Sequence, residues 1–260
     1  MCGFVGVIRG AGRGVRRDEL ARLAPFVERR GPDGTGVFVD GELGLCATRL
    51  SIQGGREGDQ PLRSADGRFV LAYNGELFAS HRRRLRGTLR AEGAGEAPAV
   101  SDTALLLAFL AHRLGGRREG APFHASTFEA LRGGMFAFAL ADLATREVVL
   151  HTDGAIKPLA VAARPAHGEV WFASTAATLW AAIGGTRAID RDEWAYRLFS
   201  PEGRRPLLAA AAPIEDVRER VLVASSVHPG AWHAATIVGA SPPRASTAPD
   251  LDAVRQAIGA

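Results

Sequence analysis

An apolar segment at the amino terminus constrains the fold of this chain more than any other feature. Cys2, Phe4, Val5, Val7 and Ile8 follow one another with few interruptions. An apolar run of this kind predicts a buried strand. We therefore expect the first residues to lie in the core of the protein, with a cysteine where the strand begins.

Length and composition are those of a globular protein. The 260 residues suffice for one large domain, or for one domain with a small appendage. Hydrophobic residues make up 47% and charged residues 23%, which argues against a mainly disordered chain. No apolar run approaches the roughly 20 residues that span a bilayer, and the first ten residues do not have the pattern of a signal peptide. We expect a soluble, cytoplasmic protein that binds no membrane.

Charge and metal-binding side chains exclude further classes of function. The formal net charge is only +4, and Lys157 is the single lysine. Arginine clusters at 82–84 and 117–118 lack interleaved aromatic residues that could stack on bases, so we expect solvated faces and no nucleic-acid partner. Two cysteines, Cys2 and Cys46, are too few for a disulfide framework or a cysteine zinc site. The seven histidines show no metal-ligand spacing, and we expect neither a metal nor a cofactor.

Hydrophobic periodicity predicts strands first, then helices, then a second set of strands. Predicted strands cover 35–39, 44–52, 69–73, 135–140, 147–151, 159–162 and 170–173, and predicted helices cover 18–29, 76–90, 103–114, 127–132 and 250–258. Ser101 and Asp102 form a plausible amino-terminal cap for the third helix. This order favours an α+β fold with antiparallel sheets over a βαβ repeat.

Cys2 is the most informative residue for chemistry. Removal of Met1 would leave a thiol and a free α-amine on one residue. An α-amine has a reference pKa of about 7.7–8.0 and can act as a base near neutral pH. Such a residue is its own nucleophile–base pair, as in N-terminal nucleophiles. Taken alone, a Met-Cys-Gly start is a weak signal and fits a buried structural cysteine better.

A series of short motifs narrows this choice. In order they are RGPDG (30–34), ATRLSI (47–52), QPL (60–62), YNGEL (73–77), SDT (101–103), LRG (131–133) and IKPL (156–159). Together they resemble the glutamine-amidotransferase domain of asparagine-synthetase-type enzymes, which are class II amidotransferases. The resemblance implies a four-layer αββα Ntn-hydrolase sandwich of two antiparallel sheets with a short C-terminal appendage. It implies an amidotransferase domain over 1–200, followed over 201–260 by a linker-like tail that resembles the start of the synthetase domain.

The resemblance also implies which residues act on glutamine. Cys2 would attack the side-chain amide, and the Asn74 side chain with the Gly75 N–H would form the oxyanion hole. Without the resemblance, Asn-Gly at the end of a strand is the signature of a tight turn. Both interpretations place these two residues where a strand meets a helix.

Three further side chains match the positions with which the family binds the amino-acid end of glutamine. Arg49 would clamp the α-carboxylate with its guanidinium fork, whereas Asp102 and Glu76 would bind the α-ammonium. Asp102 is otherwise a helix cap, and Glu76 otherwise compensates a helix dipole. Backbone contacts to the substrate are expected from Leu50 and Ile52.

The sequence departs from the family pattern in two places. The run over 151–159 lacks the Arg-Asp pair that usually precedes Ile-Lys-Pro-Leu. No Ser-Gly-Gly-x-Asp-Ser loop or P-loop is present, so we expect no ATP site on these residues. The predicted function is hydrolysis of L-glutamine to glutamate and ammonia for a separate ATP-dependent synthetase. The alternatives are a catalytically idle scaffold and an Ntn hydrolase acting on another γ-glutamyl amide. A homodimer is left open.

Overall fold

The computed structural model describes residues 2–51, 55, 58–95, 101–153, 156–189, 208–210, 214–217, 221–235 and 237–238. The strands in these ranges are β1 (Gly3–Arg9), β2 (Gly34–Asp40), β3 (Leu43–Arg49), β4 (Leu62–Arg63), β5 (Phe69–Glu76), β6 (Phe123–His124), β7 (Met135–Asp142), β8 (Glu147–Thr152), β9 (Ala160–Arg164), β10 (Glu169–Ala173), β11 (Gly185–Ile189), β12 (Leu208–Ala210), β13 (Glu215–Asp216), β14 (Val221–Ser225), β15 (Trp232–Ala234) and β16 (Ile237–Val238). The α-helices are α1 (Arg17–Ala21), α2 (Ala24–Glu28), α3 (Ala79–Ala91), α4 (Asp102–Leu114), α5 (Ala125–Glu129) and α6 (Ala176–Ile183). None of these helices is long and apolar enough to cross a membrane.

Two six-stranded antiparallel sheets form the centre of the protein. The order of strands is β13-β9-β10-β1-β3-β2 in the first sheet and β15-β14-β8-β7-β5-β4 in the second. β1 lies inside the first sheet, where it pairs with β10 on one side and β3 on the other. The predicted amino-terminal strand is therefore confirmed, and both of its edges are hydrogen-bonded.

Alternation along the strands explains why the sheets stack face to face between helices. In β1, Phe4 and Ile8 point to a core between the two sheets, while Val5 and Val7 point to a second core under α1, α2 and α6. On the second sheet, Phe69, Leu71, Phe138 and Leu140 pack under α3 and α4. Each sheet is thus buried on both faces. The predicted α+β architecture of four layers, helix–sheet–sheet–helix, is confirmed.

Large and small side chains are divided between the two facing sheets. The inner face of β7 consists of Ala137, Ala139 and Ala141, and it shares a core with Phe4 and Phe172 of the opposite sheet. Alanine on one side gives the phenylalanine rings room at close sheet separation. Within the first sheet Gly6 also makes room, because a β-carbon built there would lie 2.4 Å from the ring of Phe172 on the neighbouring strand β10.

Two predicted helices have different bounds in the structure. The helix predicted over 18–29 is interrupted, and α2 restarts at Ala24 with Pro25 in its first turn, where a missing N–H is tolerated. The helix predicted from residue 76 begins only at Ala79. The turn expected at Asn74-Gly75 is wrong, because β5 runs on through both residues and Glu76, which lies opposite Met135 of β7.

The segment predicted as a linker-like tail contributes strands to both main sheets. Glu215–Asp216 pairs with β9 in the first sheet, and Val221–Ser225 lies between β8 and β15 in the second. Val221 and Val223 add side chains to the core under α3 and α4. The helix expected over 250–258 lies outside the described residues, and the domain division at residue 201 stays a prediction.

The contact between Gly6 and Phe172 generates a prediction about stability. We expect Gly6→Ala to lower the free energy of unfolding by about 1–3 kcal/mol, because the added methyl group overlaps the ring in a close-packed core. Urea denaturation followed by circular dichroism measures the difference. Gly34→Ala in β2 is the matched control, since a β-carbon there meets no atom within 4 Å. Equal denaturation midpoints for the two variants would show that the Phe172 ring moves aside without cost.

Candidate active site

Three strand ends from two sheets bring the predicted site residues together. Cys2 directly precedes β1, and Gly3 lies opposite Thr48, so that Arg49 at the end of β3 is next to Cys2. The carboxyl end of β5 approaches the same point from the second sheet, where Asn74 is hydrogen-bonded to Cys2. The two-sheet architecture therefore places a nucleophile, a cation and an amide within one region.

An open cleft lies at this meeting point. Its empty space is about 510 Å³ up to solvent, a size that suits a small molecule. The cleft is lined by Cys2, Arg49, Leu50, Gly58, Gln60, Tyr73, Gly75, Glu76, Ser101, Asp102 and Thr103. Six of the eight predicted site residues are in this list. Asn74 is completely buried behind the cleft, and Ile52 lies outside the described residues.

Asn74 and Arg30 together hold the backbone of Cys2. The side-chain orientation of Asn74 that satisfies both of its polar atoms has Nδ2 donating to the Cys2 carbonyl oxygen at 2.8 Å and Oδ1 accepting from Arg30 Nη2 at 3.2 Å. Arg30 Nε donates to the same carbonyl oxygen at 3.3 Å. One N–H of the Asn74 amide is thus engaged with Cys2, and its second N–H is the one that an oxyanion would use.

The exposed edge of β5 presents a row of backbone N–H groups. Alternate residues of a strand point their N–H groups the same way, so Tyr73, Gly75 and Leu77 share one side. Tyr73 N donates to Gln60 Oε1 at 2.6 Å, and Leu77 N donates to Asp102 Oδ2 at 2.8 Å. The Gly75 N–H lies between these two on the cleft side. No other residue fits at Gly75, because a β-carbon there would lie 2.3 Å from the β-carbon of Phe136.

Two carboxylates and an arginine form a charged network at the start of α4. Asp102 follows Ser101, whose side chain caps the helix by accepting from Ala104 N, so the predicted cap is confirmed. Arg82 Nη1 lies 3.2 Å from Asp102 Oδ1 and 3.7 Å from Glu76 Oε1. Burial, followed by the negative charge of Asp102, raises the pKa of Glu76, while Arg82 and Lys157 act in the opposite direction.

Arg49 lines the same cleft as Glu76 and Asp102, and it is paired as well. Its side chain is only 10% exposed, and Nη1 donates to Asp59 Oδ1 at 2.7 Å. The Asp59 side chain is 64% exposed. The positive charge that was predicted to clamp a substrate carboxylate is therefore held against a carboxylate of the protein itself.

Sequence reasoning missed several residues of the cleft. Asp59 and Arg82 lie in polar segments with many charges, and nothing in the sequence marks these two as the partners of Arg49 and Asp102. Tyr73 is 2% exposed, and its hydroxyl group has no hydrogen-bond partner among the described residues. Burial, with the charges of Asp102 and Glu76, raises the pKa of Tyr73 well above its usual value, so this hydroxyl stays protonated.

The two cysteines occupy different environments. Cys2 is half-buried and lines the cleft, whereas Cys46 is fully buried in the core between β3 and the helices α1 and α2. Burial raises the pKa of the Cys46 thiol to about 11, which makes it inert as a nucleophile. Within the described ranges, no group of three or more His, Cys, Asp and Glu side chains could hold a metal ion. The expectation that no metal or cofactor takes part stays a prediction.

Comparison with known families and proteins gives a consistent result. A sequence model of the family described as "Glutamine amidotransferase domain" matches residues 1–206. Asparagine synthetase [glutamine-hydrolyzing] 1 of Bacillus subtilis is 33% identical over 143 residues, which cover 54% of this chain and 20% of that protein. A putative asparagine synthetase [glutamine-hydrolyzing] of Mycobacterium tuberculosis is 34% identical over 178 residues, which cover 62% of this chain and 25% of that protein. The chain spans about a fifth to a quarter of the length of these curated relatives.

The solved structures bear on the fold alone. Glutamine phosphoribosylpyrophosphate amidotransferase from Bacillus subtilis superposes with a TM-score of 0.58 at 18% identity, and the match covers 90% of this chain and 49% of that chain. A regulatory enzyme of purine biosynthesis gives a TM-score of 0.56 at 17% identity. Together with the four layers, these likenesses confirm the Ntn-hydrolase sandwich.

The raised pKa of Glu76 predicts a pH-dependent change in stability. The ionised Glu76 carboxylate disfavours folding, and this cost develops as the pH rises from the unfolded-state pKa to the higher pKa of the folded state. We therefore expect Glu76→Gln to raise the melting temperature at neutral pH, and we expect the difference from the wild type to vanish on acidification below both values. Thermal melts between pH 3 and pH 8, roughly the range over which carboxyl groups titrate, measure it.

Glu129→Gln is the matched control for this series, because Glu129 is exposed on α5 and is not part of the cleft. A Glu76→Gln variant that is less stable than the wild type at neutral pH would show that the ion pair with Arg82 outweighs burial.

Proposed function

The chain belongs to the glutamine amidotransferase domain family, and on that premise we propose that it hydrolyses L-glutamine to glutamate and ammonia, with Cys2 as an N-terminal nucleophile. The observation that carries the proposal is the composition of the cleft. Cys2 lies in the same cavity as Arg49, Glu76 and Asp102, so that a thiol meets groups of the correct charge for both charged groups of an α-amino acid.

Nucleophilic attack is the first step of the proposed reaction. After removal of Met1, the α-amine of Cys2 accepts the thiol proton through a water molecule. The thiolate sulfur forms a bond to the amide carbon of glutamine, and the carbonyl oxygen becomes an oxyanion. The Gly75 N–H and the second N–H of the Asn74 amide donate to this oxygen, which lowers the barrier because the donors are already oriented.

Collapse of the tetrahedral intermediate releases the product ammonia. The carbon–nitrogen bond breaks as the protonated amine of Cys2 returns its proton to the leaving nitrogen, and a γ-glutamyl thioester remains. Water then attacks the thioester with the same amine as base, and glutamate leaves while the Cys2 thiol is restored.

Recognition of free glutamine follows from the charges around the cleft. Arg49 would bind the α-carboxylate through a two-pronged hydrogen bond, and Asp102 with Glu76 would bind the α-ammonium. Leu50 lines the cleft beside Arg49 and would add a backbone contact, as would Ile52. These assignments distinguish glutamine from carboxamides that lack either charged group.

The destination of the ammonia is the second part of the proposal. We propose that a separate ATP-dependent, asparagine-synthetase-like enzyme uses it to form an amide. Two relatives reported above carry names that combine synthesis of asparagine with hydrolysis of glutamine. A pull-down that captures such a synthetase and a glutaminase rate that changes when it is added would support this arrangement. The cytoplasmic location stays a prediction.

The nucleophile is tested by comparing the two cysteines. We expect Cys2→Ala to lower ammonia release from glutamine at least about 10³-fold, because the covalent pathway is lost. Cys46→Ala is the matched control, since that thiol is buried in the core and is expected to leave catalysis intact. A glutamate-dehydrogenase-coupled assay measures ammonia, and intact mass spectrometry shows whether Met1 is absent.

Each outcome of this comparison has a distinct meaning. Activity that survives Cys2→Ala refutes the proposed nucleophile. A wild-type protein that lacks Met1 but releases no ammonia, even with a candidate synthetase present, favours a scaffold. Release of glutamate and an amine from other γ-glutamyl amides, without release of ammonia from glutamine, favours the other hydrolase.

The oxyanion role of Asn74 is tested separately from its contact with the Cys2 carbonyl. We expect Asn74→Ala to lower kcat about 10²–10³-fold with little change in KM, because a donor to the transition state is lost. Arg30→Ala removes a different donor to the same carbonyl oxygen and is expected to cost kcat less. Equal losses in the two variants would mean that Asn74 acts only by holding Cys2 in place.

A further inference from the structure

Both charged recognition groups of the cleft are already paired with groups of the protein. Arg49, the proposed clamp for the α-carboxylate, is bound to Asp59. Asp102 and Glu76, the proposed partners of the α-ammonium, share Arg82. Asp59 is negative like the substrate α-carboxylate that Arg49 would bind. Arg82 is positive like the substrate α-ammonium that Asp102 and Glu76 would bind.

We propose that Asp59 is an internal substitute for the substrate α-carboxylate, which glutamine must displace from Arg49, and that Arg82 is a permanent counter-ion that weakens the attraction for the α-ammonium. Together the two residues set the affinity for the substrate. This inference rests on the proposed function, since it assigns the cleft to an α-amino acid.

The exposure of Asp59 makes it displaceable. Arg49 is 10% exposed and comes from the end of a strand that is paired on both sides, whereas Asp59 is 64% exposed and belongs to the loop before β4. An exposed carboxylate regains its hydration when it leaves a partner, so its pair is weak. The carboxylate of glutamine can therefore replace that of Asp59 without disturbing the core.

The contacts of Arg82 make it permanent. Its Nη1 donates to the Leu77 carbonyl oxygen at 2.9 Å as well as to Asp102 Oδ1, and its side chain is 26% exposed. Asp102 and Glu76 carry two negative charges. Among the described residues Arg82 is the cation within 4 Å of them, and Lys157 acts on Glu76 from farther away. Arg82 compensates one of the two charges at close range, so it need not leave when an ammonium group binds.

The charge balance differs between the two charge clusters of the cleft. The pair of Arg49 and Asp59 sums to zero, so a substrate carboxylate gains its full attraction only when Asp59 moves away. The network of Arg82, Asp102 and Glu76 keeps a net negative charge. Removal of Asp59 should therefore increase affinity more than removal of Arg82. The first change should act mainly on the α-carboxylate of the substrate, and the second mainly on its α-ammonium.

Three ligands test recognition of the α-carboxylate and of the α-ammonium separately. L-Glutamine carries both charged groups, 4-carbamoylbutanoate lacks the α-ammonium, and 4-aminobutanamide lacks the α-carboxylate. Binding is measured by calorimetry with the Cys2→Ala protein, in which no turnover is expected, and KM and kcat for glutamine are measured with Cys2 present. Asp59→Asn removes the charge and preserves the size of the side chain. Arg82→Gln removes the charge and shortens the side chain.

We expect Asp59→Asn to tighten binding of glutamine and of 4-carbamoylbutanoate by about tenfold, and to leave 4-aminobutanamide unchanged. We expect Arg82→Gln to tighten binding of glutamine and of 4-aminobutanamide by about threefold, and to leave 4-carbamoylbutanoate unchanged. For glutamine the change should fall on KM rather than on kcat. Asp66→Asn, in the turn before β5, and Arg83→Gln, on the exposed side of α3, are controls of equal charge change and should alter none of the three ligands.

Two results would overturn the inference. Weaker glutamine binding in Asp59→Asn would mean that Asp59 positions Arg49 for the substrate, and equal changes for all three ligands would mean that the loop has rearranged. Failure of the proposed function is distinguishable from both. In that case wild-type protein releases no ammonia, while the Cys2→Ala protein still binds glutamine with the ligand-specific pattern expected for the two variants.

Discussion

The hydrogen bonds at the carbonyl oxygen of Cys2 are the interaction on which the rest of the site depends. Asn74 comes from the second sheet and Arg30 from the loop after α2, and both donate to this one atom. Since β1 is paired on both edges, the carbonyl has little freedom once it is held. The position of the thiol is thereby tied to both sheets, and the edge of β5 that carries the Gly75 N–H keeps its distance from Cys2.

Catalysis and recognition make different demands on the surrounding structure. Cys2 directly precedes β1, and Asn74 and Gly75 lie in β5, where pairing with β7 fixes their backbone. Glu76 and Arg49 are the last residues of their strands, and Asp102 starts a helix. Residues that align reacting atoms are thus on rigid elements, while residues that attract a charged substrate are at element ends, where small movements are tolerated.

The layered fold was predictable because strand periodicity and motif order agree. The apolar alternation of β1 and β7 separates residues of the inner and outer cores correctly, and the motifs fall at the ends of β1, β3 and β5 that meet at the cleft. The continuation of β5 through Asn74 and Gly75 was not predictable from local chemistry. Asn-Gly favours a turn in isolation, and only the pairing with β7 keeps it extended.

The internal ion pairs were also beyond sequence reasoning, for a physical reason. Arg49 and Asp59 are ten residues apart and Arg82 and Asp102 are twenty apart, and each pair joins two elements whose relative placement depends on the packed core. Nearly all of the positive charge of this chain is arginine, so the sequence alone allows many other ion pairs equally well. A specific ion pair is identified by the burial of one of its partners, and that burial is known only once the fold is known.

The place of Cys2 beside the cleft has a practical consequence for anyone who prepares this protein. A purification tag fused ahead of Cys2 would convert the α-amine into an amide and would add chain where the substrate has to enter. A tag at the carboxyl end avoids both effects. The expression vector therefore decides whether the proposed base is present beside the proposed nucleophile.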